Sequence, residues 1–125
     1  MKTREIPKNE WSGFFDRFSQ KHEGWLVNLE IFSEEIGAQV EQRELALAGI
    51  TDEWDEIKGN TIMIMIGGKT DEHVTHSIAC PTQVSLEQTD GGADAALAIK
   101  SGDGATTLLK FRSPVLPEMV DAVAP

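Results

Sequence analysis

The stretch Trp11–Phe32, WSGFFDRFSQKHEGWLVNLEIF, changes its apolar period at Gly24. Before the glycine, Trp11, Phe14, Phe15 and Phe18 fall at i, i+3, i+4 and i+7, one stripe down the side of a helix. After it, Trp25, Val27, Leu29 and Ile31 alternate with Leu26, Asn28, Glu30 and Phe32, the period of two of a strand with one strongly apolar face. The spacing predicts a helix over about residues 9–23, with Asn9 as its cap, Glu10 and Asp16 toward its N-terminal half, and Lys21 and His22 in the last turn, where cations suit the dipole. Gly24 supplies the left-handed stop. The stripe holds four of the eight aromatic residues, and burying each ring contributes about 1.5–3 kcal/mol. A core-facing helix is therefore the plain reading of it, ahead of an aromatic ligand box.

Working outward, Ser33–Gly37 reads as a turn and AQVEQRELAL as the next strand. Ala38 and Val40 are in one phase and Leu45 and Leu47 in the other, so a bulge or bend is expected near Glu41–Glu44. TDEWDEIKGN reads as an acidic connection closing on Gly59-Asn60. TIMIMI, Thr61 to Ile66, is apolar on both faces, which predicts a central strand covered twice. TDEHVTHSIAC reads as a turn running into a strand, and further strands follow in TQVSLEQ, AALAIK and TTLLKFR, the last two flanking the hairpin signal Ser101-Gly102-Asp103-Gly104. Pro114 and Pro117 are expected to break the sheet, leaving PEMVDAVA as a short closing helix. The fold class is α+β, mostly β: an amphipathic N-terminal helix packed on a strongly bent antiparallel sheet, or a small β-barrel, of about six or seven strands. Residues 1–125 read as a single domain.

Net charge is −10, and it is uneven: residues 1–25 carry five basic and four acidic side chains, the remainder six and seventeen. Such a surface repels phosphate backbones, so nucleic acid and anionic membranes are disfavoured as partners, while a basic protein is attracted. No apolar segment has the length of a signal peptide or a membrane span. The single cysteine allows no internal disulfide. A cytoplasmic protein is the expectation.

Candidate chemistry is sparse. TDEHVTHSIAC, Thr70 to Cys80, places two histidines and the only cysteine close together, as a metal site would. On a strand, however, His73 and His76 point to opposite faces. His76 shares a face with Cys80, but four residues at ~3.3 Å each put them about 13 Å apart, beyond a common zinc ion. A metal site or small enzyme built on His73 or His76 therefore needs ligands from other strands. Otherwise His76 is a core histidine, His73 is exposed and Cys80 is a small buried hydrophobe. No nucleophile elbow and no phosphate loop is present, so catalysis is not favoured and no cofactor is expected. TDEWDE is the best interaction candidate. Trp54 stands among Asp52, Glu53, Asp55 and Glu56, and either folds back on the core or anchors an acidic contact. The partner is then a basic protein or a second copy in a homodimer.

The ordered string of REIPKNEWSGFFDRFSQKHEGW, GAQVEQRELAL, DEHVTHSI, VSLEQTDGGADAALAI and TTLLKFRSP resembles a family of small bacterial proteins known only as a domain of unknown function. The resemblance runs over nearly the whole chain. It implies one self-contained domain in a bacterial cytosol and brings no activity, cofactor or catalytic residue.

Overall fold

The computed structural model describes residues 2–35, 37–67 and 73–115. An edge strand β1 (Lys2–Ile6) leads through a single 3-10 turn (Lys8–Glu10) into helix α1 (Trp11–His22). Seven strands follow: β2 (Leu26–Ser33), β3 (Gly37–Asp55), β4 (Gly59–Ile66), β5 (Val74–Ala79), β6 (Pro81–Gln88), β7 (Asp94–Ser101) and β8 (Thr106–Val115). All pair antiparallel in one sheet of eight, in the order β1-β6-β7-β8-β2-β3-β4-β5. The sheet curls around α1 without closing, because β1 and β5 remain at its two ends.

Strand β3 makes the curl. Its first part pairs with β2 and its second, from Leu47 on, with β4. Opposite Val27–Glu30 the register slips twice, so β3 carries extra residues where the phase change of Leu45 and Leu47 predicts a bulge. Glu44 sits there at φ 50°, and its N–H donates to Asn28 Oδ1 at 2.7 Å. A third slip lies between Leu47 and Gly49, and it keeps both Leu47 and Ile50 buried. A strand that turns a corner in this way lets one chain segment serve two sheet directions.

The helix lies against β3 inside the curl. Trp11, Phe14, Phe15 and Phe18 are all buried with Val27, Leu29, Ile62, Ile64, Leu97 and Leu109 in one apolar core. Trp11 Nε1 donates to the Ile6 carbonyl at 2.9 Å, and Gly24, at φ 87°, donates to Leu47 O at 2.8 Å. Both ends of the helix are thereby tied to strands. In the middle, Ser19 Oγ accepts from Ile50 N–H at 2.9 Å and donates to Ile50 O at 3.2 Å, serving β3 backbone groups on the edge beyond Ala46, where the β2 ladder has ended.

Several expectations are corrected. The first strand lies in KTREI, whose charged residues hide its period of two, and with it the described residues form eight strands where about six or seven were expected. The helix starts at Trp11, and Asn9 lies in the preceding 3-10 turn, where no side-chain cap is made. Thr51–Asp55 is not a connection but the end of β3. TIMIMI is next to the sheet end and not central: Ile62, Ile64 and Ile66 are buried, but Met63 and Met65 on the other face are only half-buried. Pro114 does not break the sheet, because the β7 ladder skips from Lys110 to Val115 and asks no hydrogen bond of it. Residues 117–124, expected as a short helix, lie outside the described residues.

Replacing Ser19 by Ala removes one hydroxyl and strands two Ile50 backbone groups. We expect Ser19→Ala to lower the unfolding free energy by about 1–3 kcal/mol in urea titrations with an unchanged slope. A loss under ~0.5 kcal/mol shows that this contact does not hold helix to strand.

Candidate functional site

Beyond the core, β3 and β4 continue as a hairpin whose last ladder pairs are Trp54↔Asn60 and Asp55↔Gly59. Asp55 Oδ1 accepts from the N–H groups of Ile57 and Lys58 at 2.7 and 3.0 Å, and Gly59 takes φ 77°, so side chain and glycine together set the turn. Those N–H donors, Lys58 before Ile57, hold the Asp55 carboxyl below the usual carboxylate range.

Strand alternation places Ile50, Asp52 and Trp54 on one face of β3. Ile50, opposite Ile64, is in the core, and Asp52, opposite Ile62, is half-buried and accepts from Asn60 Nδ2 at 2.8 Å. Trp54 is the next step on this core-facing side, but the core has ended: the indole is 69% exposed, with Ile57 at the turn 94% exposed. Its Cζ3 lies 4.0 Å from where a Gly59 Cβ would stand. The ring does not fold back on the core. The carboxylates divide around it: Asp52 shares its face, Glu53 and Asp55 project from the opposite one, and Glu56 lies in the turn.

The histidine stretch separates as strand geometry requires. Val74, His76 and Ile78 face inward, His73 is exposed, and His76 Nε2 lies 3.5 Å from Thr107 Oγ1. His76 lines a depression of about 290 Å³ with Ile31, Ser101, Asp103 and Thr107. Ser101 Oγ there donates to Asp103, which also accepts from Ala105 N–H, so these groups close the β7–β8 turn and do not form a base-activated nucleophile. Cys80, expected to be buried, is exposed at φ 51° in the corner between β5 and β6, where its carbonyl accepts from Gly102 N–H at 2.9 Å. Among the described residues no three His, Cys, Asp or Glu side chains converge as a metal site.

A buried polar cluster was not foreseen from the sequence. His22 is wholly buried, stacked on Phe111, tilted against Phe18 and with Trp25 edge-on. Its Nδ1 lies 2.8 Å from Phe18 O, and its Nε2 lies 3.0 Å from Asp94 Oδ2, off the line of a hydrogen bond. Gln88 Nε2 and Lys21 Nζ also reach the buried Asp94 carboxylate, at 2.9 and 3.1 Å. Burial is the largest single influence on this carboxyl and raises it, but His22, Gln88 and Lys21 together outweigh burial and hold it well below the usual range. The signal was available: His22 is four residues beyond Phe18 and continues the helical stripe. Its partner Asp94 was not, since TDGGAD reads only as a turn.

Comparison with known proteins agrees with the resemblance carried by the sequence. The chain belongs to the family described as "Family of unknown function (DUF5335)", whose model matches residues 2–119. It is similar to a protein of Aquifex aeolicus (strain VF5) described as "Uncharacterized protein", 29% identical over 119 residues that cover 94% of this chain and all of that one. No solved structure matches the chain.

Because Asp94 is held low in the folded chain, its contribution is fully present above the unfolded carboxyl pKa of about 3.9 and is lost as pH falls below it. Asp94→Asn should lose roughly 3 kcal/mol at pH 7 and show a flatter fall in melting temperature between pH 5 and pH 2 than the parent. Parallel profiles for the two proteins would contradict the assignment.

Proposed function

We propose that this chain is a non-catalytic binding or assembly module that works through protein–protein contacts at the tip of the β3–β4 hairpin. The observation that carries this reading is the exposure of Trp54 on the core-facing side of a strand that has outrun its core. A large ring kept in water gains nothing from the fold itself, and burying it in a partner contributes about 1.5–3 kcal/mol. Ile57 adds a second apolar anchor within a few residues.

Charge narrows the partner. Asp52, Glu53, Asp55 and Glu56 surround the anchors against the one cation Lys58. Two copies meeting tip to tip oppose their own carboxylates, whereas a basic protein surface complements them. A basic protein is therefore the favoured partner and a homodimer the alternative. The net charge of −10 weighs against nucleic acid and anionic membranes. Among the described residues no helix is long and apolar enough to cross a membrane.

Affinity purification of the parent and Trp54→Ala chains, with sedimentation of each alone, tests the reading. A basic partner should be retained by the parent and weakened about 30-fold or more by the substitution, the scale of a hot-spot residue. The melting temperature should barely move, since the ring is exposed. Unchanged partner retention and unchanged self-association in Trp54→Ala would rule the hairpin tip out, and a large loss of stability would show that the ring belongs to the core.

A further inference from the structure

Away from the hairpin, a cavity of about 280 Å³ opens between α1 and the β1–β6 end of the sheet. Its character is opposite to that of the chain as a whole. Three cationic side chains reach it, Arg4 from β1 and Arg17 and Lys21 from α1, against one carboxylate, Asp94. That carboxylate is already engaged by Lys21, Gln88 and His22. Among the described residues neither Arg4 nor Arg17 forms an ion pair.

The arrangement follows from the pleat. Lys2, Arg4 and Ile6 share one face of β1, opposite Gln88, Leu86 and Val84 of β6, and Ile6, Val84 and Leu86 are buried. Arg4 thus extends the core-facing side, while Glu5 and Glu87 project from the other face, away from the cavity. On the helix, Arg17 and Lys21 are one turn apart and stand over Phe14 and Phe18. A side chain at Gly13 would press within 3.2 Å of Arg17 Nη1. A glycine inside a helix costs about 0.5–1 kcal/mol relative to alanine, and here it leaves the guanidinium room to lie along the helix. The wholly buried His22–Asp94 contact forms the back wall and anchors Lys21.

We propose that this cavity binds a small anion through carboxylate or phosphoryl oxygens held by Arg4 and Arg17, with Lys21 and Gln88 at its edge and Phe14, Phe18 and Leu86 beneath. Guanidinium groups present planar pairs of donors that match both kinds of oxyanion. The cavity is larger than inorganic phosphate needs, so it has room for a compact organic body as well. Against a net charge of −10, this recess gathers three cations around one carboxylate that is already engaged, which favours an anion here. The site shares no residue with the hairpin tip and stands or falls separately from it.

Titrating the isotopically labelled full chain with inorganic phosphate, and separately with benzoate, at ionic strength held constant with chloride, tests the site by nuclear magnetic resonance. Saturable shifts confined to Arg4, Arg17, Lys21, Gln88 and their neighbours are expected with at least one probe. Saturation by phosphate alone assigns a phosphoryl ligand, and by benzoate alone a carboxylate. The double variant Arg4→Gln/Arg17→Gln should lose affinity at least tenfold for the probe that binds, with its melting temperature kept, because both arginines are exposed. Shifts that rise linearly with both probes, that scatter over the surface, or that survive in the double variant overturn the proposal.

Discussion

The corner in β3 is the constraint on which the rest of the structure depends. A flat sheet of this size has no concave side in which to bury α1, and a helix with an aromatic stripe needs one. The slips near Glu44 and Gly49 bend the strand twice within one turn of the sheet, so that β2 and β4 meet it in different directions. Beside each bend, backbone groups without a strand partner are served by a side chain. Asn28 serves Glu44 N–H, and Ser19 serves both polar groups of Ile50. The second contact comes from the helix itself, so the element that fills the curl also fastens it.

The same corner explains where the candidate surfaces lie. Past Gly49, β3 and β4 run out as a hairpin longer than the helix they cover, and the inner face of that hairpin ends in Trp54 instead of a core residue. At the other end of the helix, where the stripe reaches His22, the core gives way to a polar cluster. Asp94 there is buried against His22, Gln88 and Lys21, and the cavity in front of it gathers cations from α1 and β1. One end of the curl is therefore acidic with exposed apolar anchors, and the other is a cationic recess. That polarity is invisible in a net charge of −10.

The main elements were legible in the residues because they rest on local periodicity. The i, i+3, i+4, i+7 stripe located α1, the period of two located β2 and most later strands, and the phase change between Val40 and Leu45 located the bulge. What escaped had no local signature. KTREI is charged enough to pass for a tail, yet it is a strand because β6 offers it a ladder and Trp11 pins Ile6. Thr51–Asp55 is acidic enough to pass for a loop, yet β4 holds it extended. Among candidate residues, strand alternation by itself separates His73 from His76, whereas the exposure of Cys80 depends on a left-handed corner that its own residue type disfavours.

By itself, then, the sequence determined the class of object: an acidic chain with an aromatic amphipathic helix followed by bent antiparallel strands. These properties are set by side-chain spacing along the backbone. Only the tertiary structure decided that Trp54 stands in water, because that depends on where the core stops. Only it decided that His22, Asp94, Gln88, Lys21 and two arginines share one end of the molecule. They come from four elements far apart in the chain, and it is the antiparallel register and the curl of the sheet that bring them together.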